Sequence, residues 1–309
     1  MHAARPIIVI GSINRDIIVR CGVLPREGET VRGHSLGYGG GGKGANQAFA
    51  AARLGGDVRM IGRVGSDAYG RAARATLRSV GCNITGIRQA GQMSGQALVL
   101  VDDVGANSIV VIGGANDLFL PDGLRRDALL LQAGGLVLLQ LELPLDTVAA
   151  AAETVKKARA QIILDPAPAQ PMPESLLRQI DILTPNRTEL CELVGVAQLS
   201  ADELVEAADQ LRASGPRVVI VKMGSEGCLV VEEGKATHMP ASLVAAIDTT
   251  GAGDVFNAAL AVALAQGAAT ITACEFALAA ASLSVTRSGA QAAAPDRAEV
   301  DAFIKGTAR

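Results

Sequence analysis

Seven consecutive residues, Asp248-Thr249-Thr250-Gly251-Ala252-Gly253-Asp254, stand directly before a helical stretch that continues through Val255, Phe256 and Asn257. Small residues at Gly251, Ala252 and Gly253 let successive backbone N–H groups point at one spot, and the positive end of the following helix favours an anion there. Asp254, at the helix start, can take a proton from a hydroxyl nucleophile. An anion hole beside a general base suits phosphoryl transfer, in which the equatorial charge needs fixed donors and the acceptor hydroxyl needs a base in line. A capped helix whose Asp254 only satisfies backbone donors would carry the same residues.

A second run, Gly37-Tyr38-Gly39-Gly40-Gly41-Gly42-Lys43-Gly44, invites other readings. It fits G-x-G-x-x-G, but the dinucleotide fingerprint directly follows the first strand, and here that strand ends near Gly11. It nearly spells G-x-x-x-x-G-K-[ST], but Gly44 replaces the hydroxyl residue that would ligate Mg²⁺. What remains is a flexible turn, or a loop whose bare backbone packs against a small polar ligand. Lys43, Asn46 and Gln47 favour the second, because at the loop exit and the first turn of a helix their ammonium and amide groups can meet sugar hydroxyls. A mere turn would have no use for them.

The elements that must hold these residues follow from hydrophobic pattern. Ile7–Ile10, Val58–Ile61, Leu136–Leu141, Ile162–Asp165, Ile180–Thr184 and Val218–Val221 read as buried parallel strands. Between them lie amphipathic helices such as Ala45–Leu54, Ala68–Val80, Leu145–Ala160 and Ala201–Ser214. This alternation predicts a parallel sheet with helices on both faces. Asp16–Arg32 and Gln96–Ile112 read as strands without an intervening helix, which predicts a small antiparallel sheet beside the main one. Gly227–Val231 and Ala236–Met239 form a hairpin, followed by Ala-rich helices at Asp254–Gln266 and Ile271–Ser284.

Composition narrows the functional classes. The 309 residues fit one large α/β domain or two small ones. Only 2% are aromatic, which disfavours extended stacking on bases. Lys+Arg 28 against Asp+Glu 31, with no run of like charge, excludes a sequence-independent nucleic-acid binder. Apolar stretches such as Leu136–Leu141 fall far short of the roughly 20 residues that span a bilayer. The N-terminal segment lacks a basic stretch followed by an apolar one, so a cytoplasmic, unprocessed chain is expected. Cys21, Cys82, Cys191, Cys228 and Cys274 are scattered and odd in number, and read as reduced, mostly buried small hydrophobes.

Over nearly its whole length the chain resembles the ribokinase-like sugar kinases, the PfkB family. The first family signature matches Gly41-Gly42-Lys43-Gly44-Ala45-Asn46-Gln47-Ala48, and the second matches Asp248 to Asp254, in the family's order and spacing. The resemblance implies a three-layer α/β/α fold as a single domain over 1–309, with a central, mainly parallel sheet and a small β lid. The lid strands would lie near 13–37 and 94–113, and two lids would pair across a homodimer.

The resemblance also assigns roles. Asn14 and Asp16 of Gly11-Ser12-Ile13-Asn14-Arg15-Asp16 would hold the sugar, with Gly42, Lys43, Asn46 and Glu142. Asp254 would be the base and the Gly251, Ala252 and Gly253 amides the anion hole. Asn186 and Glu189 match the N-x-x-E motif that organises Mg²⁺ and nucleotide phosphates, mainly through water; Mg²⁺ suits such oxygen ligands. Lys222, Gly224, Ser225, Gly227, Gly253 and Leu278 would face ATP, although the family usually carries Thr at the position of Lys222. A monovalent cation, K⁺, would sit at Asp248, Thr250, Ser284, Arg287, Gly289 and Ala293, the last usually Ser. The implied activity is transfer of the γ-phosphate of ATP to the 5-hydroxyl of D-ribose. A related nucleoside, deoxyribose or other furanose is the alternative acceptor, and a non-catalytic sugar-binding regulator the reading from another class.

Overall fold

Ile7–Ile10, four aliphatic residues in a row, can form a stable strand only with both faces covered, and they expose at most 1% of their surface. The structure, a computed structural model, describes residues 4–127, 131 and 135–307. In chain order its strands are β1 (Ile7–Ile10), β2 (Asn14–Cys21), β3 (Gly33–Gly41), β4 (Val58–Val64), β5 (Asn83–Gln89), β6 (Gly95–Val101), β7 (Asn107–Ile112), β8 (Leu136–Gln140), β9 (Gln161–Asp165), β10 (Ile182–Leu183), β11 (Val218–Lys222), β12 (Cys228–Glu232) and β13 (Lys235–Met239).

Nine of them form one sheet in the order β13-β12-β11-β10-β9-β8-β1-β4-β5. From β11 to β5 every pairing is parallel, and β12 and β13 add an antiparallel edge. Alternation splits the sheet's side chains between two cores. Ile7, Val9, Leu136 and Leu138 face one, with helices 43–53, 252–265 and 270–284; Ile8, Ile10, Val137 and Leu139 face the other, with helices 145–157 and 201–213. The expected α/β class with a mainly parallel central sheet is therefore found.

The helix Ala252–Ala265 is buried at every position from Asp254 onward, because it runs beneath the sheet and packs against helices 43–53 and 270–284. Its many alanines allow that close approach, and an all-round apolar helix has no other stable place. A helix so enclosed fixes the position of its first turn.

The remaining four strands form a separate sheet in the order β3-β2-β6-β7. Its β2–β6 pairing is parallel, so the small sheet is mixed and not wholly antiparallel as expected. Its second strand also comes later than expected: residues 23–32 make the connection, and the glycine run itself, through Gly41, is strand β3. Glycine is a poor strand former, but a Cβ at Gly41 would fall 1.9 Å from Asp16 Oδ1, so the close approach of Asp16 demands it. Register places Ile17, Tyr38, Leu98 and Val110 in a row on one face, opposite the face that carries Asp16. Tyr38, Leu98 and Val110 are 60%, 40% and 61% exposed.

Other boundaries shift for local reasons. The strand expected at Ile180–Thr184 shortens to Ile182–Leu183, because Ile180 N bonds back to Leu177 O in a turn. Strand β5 and the helices Arg187–Val194 and Arg297–Thr307 were not anticipated. The cysteines carry no disulfide; all are buried except Cys191, which is half-buried. Among the described residues no helix is long and apolar enough to cross a membrane.

Candidate active site

Parallel strands deliver their C-terminal ends to one edge of the sheet, where α/β folds bind ligands. Along that edge the neighbouring strands present Lys222 from β11, Asp165 from β9, Gln140 and then Glu142 just beyond β8, and Ser12 and Asn14 beyond β1. Asn186 joins the row through a parallel bridge to Lys222. Sequence-distant residues are thus lined up by strand order alone.

Asp254 lies at the centre. It is 7% exposed, accepts a hydrogen bond from Asn46 Nδ2 to Oδ2 at 2.9 Å, and accepts another from Gln47 Nε2 to Oδ1 at 3.1 Å. Burial pushes its pKa up and the Lys43 ammonium pulls it back. Gly251 begins the helix at φ 77°, a left-handed conformation that suits glycine, and a Cβ there would meet Ala290 at 2.9 Å. Ala252 N donates to Thr249 O at 3.2 Å. Of the three nominated amides, Ala252 is therefore engaged in a turn, and among the described residues the Gly253 and Asp254 N–H groups have no backbone partner at this helix start.

Around Asp254 the nominated sugar residues fall into several hydrogen-bonded groups. Glu142 Oε2 accepts from Ser12 Oγ at 2.5 Å and from Lys43 N at 3.0 Å. Asn14 Oδ1 accepts from Asn116 Nδ2 at 2.7 Å, and its carbonyl accepts from the Tyr69 hydroxyl. Asp16, half-buried near the carboxylates of Glu142 and Asp254, has its pKa pushed up to about 7, by loss of water first and the neighbouring negative charges second. Burial alone would lower the pKa of Lys43, but Asp254, Asp165, Glu142 and Glu189 surround it and raise it above its ordinary value. Gly42 precedes it with φ 84° and is too close to Asn14 N and Ser12 O to carry a side chain.

On the other side of Gly253 a cavity of 230 Å³ opens, lined by Lys222, Gly224, Ser225, Gly227, Gly253 and Leu278 together with apolar residues. All six were nominated as facing a nucleotide. Phe256, Ala281 and Val285 also line it and were missed, although i, i+3 and i+7 spacing from Gly253 and Leu278 was the signal that could have found them. Lys222 Nζ bonds Asp165 Oδ1 at 2.7 Å.

Asn186 and Glu189 reciprocally cap the helix Arg187–Val194: Glu189 N donates to Asn186 Oδ1 at 2.8 Å and Asn186 N donates to Glu189 Oε2 at 2.7 Å. Burial raises the Glu189 pKa while Lys222 opposes the rise. Among the described residues no three His, Cys, Asp or Glu side chains cluster as a metal cage. Mg²⁺ needs no such cage, since it keeps several waters and binds one or two carboxylates plus substrate phosphates. Glu189, with only Oε2 engaged by the cap, fits that role.

Of the residues assigned to the monovalent cation, Asp248 and Gly289 meet: Gly289 N donates to Asp248 Oδ2 at 2.9 Å and Thr250 N donates to Oδ1 at 2.9 Å. The Arg287 guanidinium turns away to Glu299 at 2.6 Å, so its side chain leaves the site to its backbone. Ser284 donates to Ala281 O, and Ala293 is buried. These hydrogen bonds lower the Asp248 pKa against the effect of burial, so the carboxylate stays charged.

Sequence reasoning missed four polar contributors. Asp165, Gln140 and Asn116 are buried, at about 1% exposure each, and Gln291 donates to Asn46 Oδ1 at 3.2 Å. Asp165 ends a strand expected at Ile162–Asp165, where a carboxylate at the C-terminal edge was the available signal.

The chain is similar to known proteins over nearly its whole length. The chain is 38% identical to a ribokinase of Haemophilus influenzae over 302 residues, covering 97% of this chain and 99% of the relative. It is 37% identical to a deoxyribokinase of Salmonella typhi over 300 residues, covering 96% and 98%. The solved structure of an Arabidopsis thaliana ribokinase complexed with ribose and ATP superposes with a TM-score of 0.90 at 37% identity, covering 98% of this chain and 99% of that one. Residues 4–297 match the family of pfkB carbohydrate kinases, and with relatives of this identity over nearly the whole chain, the chain belongs to that family of ATP-dependent sugar kinases.

Proposed function

We propose that the chain transfers the γ-phosphoryl group of ATP to the 5-hydroxyl of D-ribose. The observation that carries this reading is the place of Asp254, whose carboxylate is fixed by Asn46 and Gln47 and which follows Gly253, a residue lining the apolar cavity. Asn14, Asp16, Lys43, Asn46 and Glu142 would hold the sugar's hydroxyls, and Asp254 would accept the 5-hydroxyl proton as that oxygen bonds to phosphorus. The Gly251–Gly253 turn and the positive end of its helix would stabilise charge on the transferred group. The bond to ADP breaks with its electron pair on the leaving oxygen.

Mg²⁺, held through Glu189 and Asn186, would neutralise phosphate charge when bound. K⁺ at Asp248 and the Arg287–Gly289 loop would fix the geometry of the helix start. The exposed Tyr38, Leu98 and Val110, in a row with the half-buried Ile17, support pairing of two small sheets in a homodimer, since an apolar sheet face and open edges call for cover. Deoxyribose is the second reading, favoured by the deoxyribokinase relative.

A coupled ADP-release assay with D-ribose, 2-deoxy-D-ribose and adenosine, in K⁺ and in a bulky organic cation at equal ionic strength, tests this. Ribose should give the highest kcat/KM and K⁺ a severalfold higher rate. Equal kcat/KM for adenosine and ribose refutes the acceptor, and equal rates in both salts refute the cation site.

A further inference from the structure

We propose that Lys222 is a catalytic cation of this chain, and that Asp165 positions its ammonium against the phosphoryl group being transferred at the start of the 252–265 helix. The proposal rests on the kinase reading above.

The side chain leaves the end of β11 and runs toward the helix start, where a Cβ added at Gly253 would stand 3.5 Å from Lys222 Nζ. Its ammonium therefore borders the very amides that make the anion hole. A positive charge beside the positive end of a helix is repelled, and its side chain is only 13% exposed. The chain overcomes that repulsion with Asp165, 2% exposed, whose Oδ1 takes the ammonium at 2.7 Å. Buried ion pairs are weak contributors to stability because both charges lose their water. An arrangement that gathers a lysine and a helix start around one spot becomes favourable overall when an anion enters between them.

Asp165 is also tied to the base. Its Oδ2 accepts from Gln47 Nε2 at 3.0 Å, and the same nitrogen donates to Asp254 Oδ1 at 3.1 Å. Gln47 is in turn held through its carbonyl by Gln140 Nε2 at 2.7 Å. One amide thus bridges the carboxylate that holds the cation and the carboxylate that takes the proton. During transfer Lys222 gives up no proton: the hydroxyl proton goes to Asp254, the new oxygen–phosphorus bond forms, the bond to ADP breaks, and the ammonium meets the charge on the moving group. A hydroxyl, which the family usually carries here, offers a hydrogen bond without the charge.

The test compares binding of ADP with that of the non-hydrolysable ATP analogue AMP-PCP by calorimetry, in the Lys222→Thr/Asp165→Asn double variant, which removes both charges and leaves no carboxylate buried alone. The analogue's affinity should fall about 10- to 100-fold, the range of a charge-assisted hydrogen bond, with ADP affinity changed less than about threefold. kcat should fall by a similar factor with KM for the sugar nearly unchanged. Lys222→Arg keeps the charge and the pairing, and should retain most of the discrimination. Equal losses for both nucleotides, or none, overturn the proposal. Because binding is read without turnover, failure to find a sugar substrate for the parent protein would not be mistaken for failure of the lysine.

Discussion

The two halves of the cleft are built on opposite principles. The half proposed to hold the sugar is built of buried polar side chains, Asn14, Asn46, Gln47, Gln140 and Asp254 among them, each 9% exposed or less and each hydrogen-bonded to another buried side chain. The half proposed to hold the nucleotide is a 230 Å³ cavity walled mainly by glycines, alanines, Phe256, Leu278 and Val285, with Lys222 and Ser225 among its polar residues. Directional bonds recognise by failing when a partner is missing, whereas an apolar wall binds by area and tolerates change. Discrimination should therefore reside on the sugar side, and substitutions should hurt more there.

The sharpest break in that contrast is Asp254→Asn. A positioned base contributes about 10²–10⁴-fold, so kcat should fall at least ~100-fold. The amide also turns an acceptor into a donor facing Asn46 and Gln47, both of which already donate to Asp254. Steady-state rates beside circular dichroism check this: a folded variant retaining most of its turnover would remove Asp254 as base.

Asp16 gives the next effect, read through pH. Its carboxyl is pushed up to about 7 by burial and by Glu142 and Asp254. A raised folded pKa means the sugar-free chain is stabilised by this proton below the ordinary 3.8, and that contribution is lost as pH rises through about 7. Sugar hydroxyls donate to the ionised form, so ribose affinity should weaken by up to about tenfold per pH unit below 7, and binding should release a proton. Calorimetry in buffers of different ionisation enthalpy measures both, and Asp16→Asn should flatten the profile. A profile equally steep in Asp16→Asn would assign the titration elsewhere. On the same side of the cleft, an acceptor lacking one hydroxyl leaves polar groups unpaired, at about 1–3 kcal/mol each, so 2-deoxyribose should lose roughly 5- to 150-fold in kcat/KM.

The same contrast governs what could be read from sequence. Strands β1, β8 and β11 announced themselves as aliphatic runs, and Asp254 as a carboxylate after small residues, because local pattern suffices for both. Strand β3 did not, because Gly41 is required by the approach of Asp16 from another strand and Gly40 by Gln291, contacts no local propensity encodes. Asn116 and Gln291 were invisible for a like reason, since each gains its role from a partner far along the chain, Asn14 for Asn116 and Asn46 for Gln291; Asp165 showed its place at a strand end but not its partner Lys222, a pairing that exists only after the sheet has ordered its strands. The orientation of the Arg287 side chain was hidden too, since its partner Glu299 turns the guanidinium away and leaves only the backbone of Arg287 toward the cation residues.

The smallest effect is expected from Leu278→Ala, on the apolar side. Leu278 is 8% exposed and lines the cavity with Ala281 from the same helix and Val285 at its C-terminal end. Truncating it removes area from the wall and costs about 2 kcal/mol of stability, the low end for a buried leucine because the cavity already adjoins it. No hydrogen bond is broken, so KM for ATP should rise about threefold to tenfold while kcat and KM for the sugar stay within about twofold. Initial rates at varied ATP, with a thermal melt as the control on folding, give the split. A fall in kcat matching the rise in KM would show that this wall also aligns the phosphates, and the two halves would then differ in degree and not in kind.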